Sequence, residues 1–408
     1  MLRPPLAAGP PPPPPPTAAR TLRREGYTGQ IVLLGGETTL PYRRPAVSKE
    51  ALAGTAVPAR LLIDTAHAWR AADIDVRPGT WVDRIEPDRR RVRLADGTPL
   101  DYDRLLLATG ARARTLPGQH PSARTLRSLA DADTLRALLF DGGSLLVVGA
   151  GLIGCEVAAT ARGLGVAVTV VHAASRPLDR VAPAVLGAHL QRLHTEHGVT
   201  IHNDVTLERL DHTDDAVTAT AADGRSWTAS SVLVAIGSVP DTGLAEAAGV
   251  LVDNGIRVDE HYRTSVPGIY AAGDVASRYV PELDVFERSE HWNSAQFQGA
   301  AAARAMLDAT PSAPEVPWGW STQYGVNLQF AGRIGADDEL IVRGADTETP
   351  AVLALREGRL VGAAGIGCAA DMRAARGLIA EGAFLDQMVC ARGPLESVVR
   401  DGEYVRVR

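Results

Sequence analysis

Gly149, Gly151 and Gly154, in the run Gly149-Ala-Gly-Leu-Ile-Gly154, have the spacing that brings a backbone against a diphosphate. The first glycine suits a tight turn after a strand. The second lets the main chain approach the pyrophosphate, and the third lets helix and strand pack closely. Leu152 and Ile153 belong to the run that opens the helix, whose N-terminus then faces the phosphates. An acid usually ends the next strand and takes the ribose hydroxyls. Here that place falls at His172, with Ser175 and Arg176 beyond it. Two readings stand. His172 and Arg176 favour the 2′-phosphate of NADP, or both are solvated and the choice between NADH and NADPH is relaxed.

Two further carboxylates sit at strand ends. Glu37 follows Ile31-Val-Leu-Leu34 and is either the ribose ligand of a second dinucleotide or an ordinary loop carboxylate. Asp274 ends Gly268-Ile-Tyr-Ala-Ala-Gly-Asp274 and can accept hydrogen bonds from ribityl or ribose hydroxyls, with helix capping as the compatible alternative. A second glycine motif belongs near the N-terminus, but the chain there reads Pro10 to Pro16. Proline has no N–H to give a phosphate or an interior strand. Residues 1–17 are therefore expected to be a polyproline II rod or a disordered tail, with the first strand lost.

The elements that position these residues follow from short apolar runs. Leu145-Leu-Val-Val148 precedes the intact glycine motif, Cys155 to Leu164 is the helix, and Val166 to His172 the second strand. Leu105-Leu-Leu-Ala-Thr-Gly110 and Val232-Leu-Val-Ala-Ile-Gly237 echo one another as buried strands ending in glycine. Ala18 to Gly26 reads as the rear of a helix closed by glycine. Ser48 is placed to cap a short helix from Lys49. Ser294 to Leu307 and Asp371 to Glu381 read as helices. The fold class is α/β: two Rossmann-like (three-layer) dinucleotide-binding domains, one inserted in the other, plus a C-terminal α+β domain. Residues 1–112 and 240–317 form the discontinuous first domain, 113–239 the inserted one and 318–408 the last.

The 408 residues allow two or three such domains, and the net charge of −6 argues against a nucleic-acid partner. No apolar run is long enough to span a bilayer, and no signal-peptide core follows Met1, so a cytoplasmic protein is expected. The cysteines Cys155, Cys368 and Cys390 are far apart with no C-x-x-C, which leaves no zinc site or disulfide framework and fits a reducing compartment.

Several blocks in order now carry a resemblance. They are Pro41-Tyr-Arg-Arg-Pro-Ala-Val-Ser-Lys49, Leu107-Ala-Thr-Gly-Ala111, Val148 to Glu156, Thr264 to Asp274, Glu290-His-Trp292 and Trp320-Ser-Thr-Gln-Tyr324. The chain resembles the FAD-dependent ferredoxin reductases of the putidaredoxin and biphenyl-dioxygenase systems, related to rubredoxin reductase and apoptosis-inducing factor. The resemblance implies that Arg44 and Lys49 contact FAD, with Lys49 near the ring and Glu156 pairing with it beside the nicotinamide. It places Thr109 and Gly110 on the FAD side, Gly237 on the NAD side, and Asp274 at the flavin chain. Glu290, His291 and Trp292 would lie along the isoalloxazine, with Trp320 nearby.

The implied activity is NAD(P)H-dependent reduction of an iron–sulfur carrier, a ferredoxin or rubredoxin, which feeds an oxygenase or P450. The implied protein is a monomer or homodimer with basic residues near the flavin edge for an acidic partner. Related disulfide reductases carry a cysteine just before Leu-Pro-Tyr, where this chain has Glu37-Thr-Thr-Leu-Pro-Tyr42. Two-electron disulfide chemistry is thereby disfavoured. Reduction of a small acceptor such as a quinone or dehydroascorbate is the first alternative. A flavin-free homologue that only binds a dinucleotide is the second. On the family's pattern the missing glycines fall near Pro10, Pro12 and Pro15, Arg43 stands where an acid is frequent, and Thr322 where Asp is common.

Overall fold

The structure is a computed structural model that describes residues 6–8 (as backbone), 14–140, 142–213, 216–281, 284–310, 315–385 and 395. The chain divides into two compact units. One comprises Met1–Pro45, Ala56–Arg112 and Ser238–Glu315; the other comprises Ala46–Thr55, Ala113–Gly237 and Val316–Arg408.

The first unit is built on a five-stranded sheet, in the order Ile269–Ala271, Leu105–Leu107, Leu6–Ala8, Ile31–Gly35, Ile74–Pro78. Every pairing in it is parallel. Ile31–Gly35 and Leu105–Leu107 are buried throughout, which is why they read as unbroken apolar runs rather than alternating ones. The strand order reverses on either side of Leu6–Ala8, as in a dinucleotide-binding half.

That central strand corrects the expectation that the N-terminal sheet position is lost and that residues 1–17 are a tail. Leu6 pairs with Val32 and with Leu105, and Ala7 with Leu33 and Leu106. The proline run begins only after this strand, and proline forbids the ladder position it occupies rather than its neighbours'. Pro14, Pro15 and Pro16 then form the first turn of the helix Pro14–Arg24. Their missing N–H groups are ones that have no intrahelical acceptor in any helix. Pro10 and Pro12, two of the positions expected for the lost glycines, lie outside the described residues.

The helix Pro14–Arg24 buries Ala18, Ala19 and Leu22, places Arg23 and Arg24 in its last turn, and closes on Gly26 at φ +86°. It packs against the helix Trp292–Met306 at Gly299, where an added Cβ would stand 2.5 Å from the Pro14 carbonyl oxygen and 2.8 Å from its Cα. Backbone cannot yield as a side chain can. Gly299→Ala is therefore expected to lower stability by roughly 1–3 kcal/mol, through forced separation of the two helices, in a urea titration. An unchanged midpoint would show that this crossing is looser than the structure has it.

In the second unit the parallel order is Val199–His202, Ala167–Val171, Ser144–Val148, Ser231–Val234. The helix Leu152–Gly163 follows Ser144–Val148 directly. An antiparallel sheet of Leu207–His212, Val217–Ala221 and Ser226–Ala229 adjoins it in sequence. The C-terminal part is a five-stranded antiparallel sheet, Trp318–Gln323, Val326–Gly332, Arg359–Ile366, Ala351–Arg356, Glu339–Arg343. The helix Ala369–Ala380 covers it through Met372, Ala375 and Leu378.

Two local expectations change. Ser48 caps nothing: it lies inside a π-helical turn, Val47–Ala51, entered through Ala46. No helix follows Asp274, because the strand Ala276–Val280 does, so the capping alternative for that carboxylate falls away.

Candidate functional site

The three glycines of the second unit have three separable reasons to be glycine. Gly149 has φ +105°, and a Cβ there would stand 2.4 Å from the Ala235 carbonyl oxygen. A Cβ on Gly154 would come within 2.0 Å of the Gly149 carbonyl, so helix and turn touch only because it is absent. Around Gly151 nothing lies within 4 Å of such an atom, and this residue caps the helix Leu152–Gly163 in extended backbone. A tight turn, an open approach and a close packing contact are the arrangement that admits a diphosphate to a helix N-terminus. Leu152 is half-buried and Ile153 is exposed at that mouth.

His172 anchors this loop. Its Nδ1 accepts the Ala150 N–H at 3.2 Å, which places the ring proton on Nε2 when the imidazole is neutral. Burial pushes its pKa down, against smaller opposing effects from Arg176 and Asp179. Arg176 is turned to Asp179 at 3.0 Å rather than toward His172. Gly237, at φ +107°, gives its carbonyl to the Arg114 N–H.

The same helix carries Glu156, which is 5% exposed. Its Oε2 accepts from Lys49 Nζ at 2.5 Å and from Ser48 Oγ at 2.5 Å; its Oε1 accepts from Ser321 Oγ at 2.9 Å. The π-helical turn sets Ser48 and Lys49 side by side on Glu156, and Thr160 Oγ1 holds that turn by donating to the Ser48 carbonyl at 2.8 Å. Strand alternation sorts the C-terminal residues. Ser321 and Gln323 face inward, while Trp318, Trp320 and Thr322 share the other face. Trp320 stacks on Trp318 with centroids 5.9 Å apart, and Arg376 lies over Trp318 at 4.1 Å.

In the first unit Glu37 and Arg44 meet: Arg44 Nη2 donates to Oε1 at 2.7 Å and Tyr42 Oη to Oε2 at 2.7 Å. Burial opposes the Arg44 charge, but Tyr42, Glu37 and Asp274 together raise its pKa. A carboxylate has about four lone-pair directions, so Glu37 retains acceptor capacity for ribose hydroxyls. Thr109 spends its hydroxyl on the Asp241 carbonyl at 2.5 Å, and the Gly110 carbonyl accepts the Asp241 N–H at 3.0 Å, so both anchor the returning chain. Asp274 is buried, and its carbonyl accepts from Arg288, which also pairs with Glu290 at 2.5 Å. His291 immediately precedes the helix Trp292–Met306. Burial lowers its pKa, with Asp274 and Glu290 acting against the shift.

Glu37 has the acceptors that the ribose of a flavin dinucleotide needs, while the head of the first helix offers no donors to its diphosphate. Pro14, Pro15 and Pro16 are buried at the head of their helix and offer no N–H. The thiols are equally plain: burial pushes Cys155 up to about 12 and Cys368 up to about 11, so neither presents a thiolate near neutral pH. Cys390 lies outside the described residues.

Sequence reasoning missed Ser48, Ser321, Gln323 and His194 as neighbours of Glu156. Gln323 Oε1 meets His194 Nε2 at 2.8 Å across 129 residues of chain. The one available signal was the i, i+2 pairing of Ser321 with Gln323 in a strand. Burial pushes the His194 pKa below the ordinary 6.5, against the Gln323 hydrogen bond. The folded state then binds fewer protons than the unfolded one, so this contribution to stability is complete above about pH 6.5 and is lost as pH falls below it. Unfolding midpoints are expected to drop between about pH 7.5 and 5.5 and to drop less in His194→Gln; parallel curves would contradict it.

Known proteins supply the comparison. A family model described as pyridine nucleotide-disulphide oxidoreductase matches residues 16–299, and a reductase C-terminal model matches 318–394. The ferredoxin–NAD(+) reductase component of the anthranilate 1,2-dioxygenase system of Burkholderia cepacia is 43% identical over 380 residues, 90% of this chain and 92% of that protein. Putidaredoxin reductase CamA of Pseudomonas putida is 39% identical over 333 residues, 79% of each. The crystal structure of the covalent putidaredoxin reductase–putidaredoxin complex superposes with a TM-score of 0.93 at 33% identity, covering 98% of both chains.

Proposed function

The chain belongs to the pyridine nucleotide-disulphide oxidoreductases, in their ferredoxin–NAD(+) reductase branch, and from that premise we propose that it uses NAD(P)H to reduce a ferredoxin-type iron–sulfur protein serving an oxygenase or P450. One observation carries the reading: the Lys49–Glu156 pair is set on the helix that the glycine loop opens. FAD, when bound, supplies the step from paired to single electrons.

The chain's own residues bind and orient. Gly149, Gly151, Leu152, Ile153 and Gly154 present the nicotinamide dinucleotide's diphosphate with a turn and a helix N-terminus. Glu156 fixes the Lys49 ammonium at one place by accepting it beside two hydroxyls. Glu37, held by Arg44 and Tyr42, would take the adenosine ribose of FAD, and Asp274 the flavin chain. Thr109, Gly110, Glu290, His291, Trp292 and Trp320 would border the flavin, while His172, Arg176 and Gly237 would border the nicotinamide dinucleotide.

We assign residues 1–112 and 240–317 to FAD, 113–239 to NAD(P)H and 318–408 to the interface domain. The unreactive Cys155 and Cys368 suit single-electron delivery better than disulfide exchange. Among the described residues no helix is long and apolar enough to cross a membrane, and the reading places the protein in the cytoplasm. The prolines at the head of the first helix favour one second reading, a flavin-free dinucleotide binder.

The test is spectral and kinetic. FAD is added to the purified chain, and the flavin band at roughly 450 nm is followed as NADH or NADPH is supplied with a ferredoxin or with a quinone. Bleaching and ferredoxin-dependent turnover are expected. A chain that takes up no FAD at any concentration is the flavin-free binder, and equal turnover with quinone alone assigns a small-acceptor reductase.

A further inference from the structure

Glu156 ends a directed line of buried hydrogen bonds that reaches far beyond Lys49. An ionised carboxylate only accepts, so Ser321 must donate its O–H to Oε1 at 2.9 Å. Ser321 Oγ is then the acceptor for Gln323 Nε2 at 3.1 Å, which orients that amide. The Gln323 oxygen therefore faces His194 and accepts from Nε2 at 2.8 Å, so the imidazole proton sits on Nε2. His194 Nδ1 is left as acceptor for Tyr324 Oη at 3.0 Å, and Tyr324 stacks on exposed His197 with centroids 3.8 Å apart. Ser321, Gln323 and His194 are each no more than 2% exposed. Bulk solvent does not reach these three residues, so reversing any one donor costs another the partner it has here.

We propose that Ser321, Gln323 and His194 are positioning residues for Glu156, holding its carboxylate in the orientation that receives Lys49. This rests on the reading that the Lys49–Glu156 pair serves NAD(P)H oxidation. The line is unidirectional, Tyr324 to His194 to Gln323 to Ser321 to Glu156, because the carboxylate at its end can only accept. An uncharged acceptor–donor group at position 156 removes the rule that sets the direction, so Glu156→Gln frees Gln323 and His194 to reverse. The amide of Gln323 breaks the line as a proton path, since passing a proton needs the unfavourable imidic acid form. Its role is orientation.

Two measurements test the proposal. The first needs no cofactor: ring-nitrogen NMR of histidine-labelled chain, with His194 assigned by its loss in His194→Asn. The Nε2–H tautomer is expected in the parent chain and a mixture, or Nδ1–H, in Glu156→Gln. Nδ1–H in the parent overturns the line. The second is single-turnover flavin reduction on FAD-loaded protein. Ser321→Ala and Gln323→Leu are expected to slow the limiting rate roughly ten- to hundredfold, at nearly unchanged affinity for NAD(P)H, with Ser321→Thr restoring most of it. Full-speed Ser321→Ala and Gln323→Leu beside a slow Glu156→Gln overturn the positioning role. A full-speed Glu156→Gln overturns the reading of the pair itself, and the tautomer then decides whether the line exists apart from it.

Discussion

Replacing Pro10, Pro12 and Pro15 with glycine is expected to tighten FAD binding by roughly 10²–10⁴-fold, the value of regaining about two charge-assisted amide–phosphate hydrogen bonds. The expectation follows from a local chemical fact. The strand Leu6–Ala8 and the helix Pro14–Arg24 are both in place, so the scaffold on which a diphosphate would sit exists. The run Pro10 to Pro16 adds no donor to it, because no proline nitrogen carries hydrogen. A helix whose first turn is Pro14-Pro-Pro16 keeps the macrodipole but has no N–H to aim at an anion. The parent chain should therefore hold FAD weakly, through the Glu37 and Asp274 ends, and lose it on dilution. Fluorescence quenching of FAD titrated with parent and triple variant measures the difference. Equal affinities would mean that the diphosphate is held by other elements and that the prolines are silent.

The glycine loop was legible in the sequence because each of its three requirements is local. A positive φ at Gly149, an open approach at Gly151 and contact with the preceding turn at Gly154 are set within a few residues of chain. The Lys49–Glu156 pair was legible only through a family resemblance, since 107 residues separate the partners. Ser321, Gln323 and His194 were not legible as a set at all: their shared property is position in space, and sequence periodicity reports only that Ser321 and Gln323 lie on one face of a strand. The N-terminal strand was hidden in the sequence for a different reason. A proline run removes only its own donors, whereas Leu6 and Ala7, which precede it, keep theirs and pair on both sides, and Ala8 pairs with Leu107.

The second large effect concerns the carboxylate at the centre of the second unit. Glu156→Ala is expected to lower the unfolding free energy by on the order of 3–5 kcal/mol, as removal of one partner from a buried ion pair does. Lys49 has a side chain only 18% exposed and would be left without its counter-charge, while the Ser48 and Ser321 hydroxyls would both lose their acceptor. The loss is not a measure of what the pair contributes, because the same burial that makes a lone ammonium costly also makes the intact pair costly to desolvate. The double variant Lys49→Met/Glu156→Leu separates the two. It removes both charges at similar volume and is expected to recover most of the stability lost by Glu156→Ala, while NAD(P)H-dependent flavin reduction stays as slow as in the single variant. Urea titrations of all the variants, made without cofactor, give the stability arm. A double variant no more stable than Glu156→Ala would mean that packing and hydroxyl satisfaction, rather than charge, govern this site. Recovery of stability without recovery of rate is the result that ties the pair to chemistry instead of to the fold.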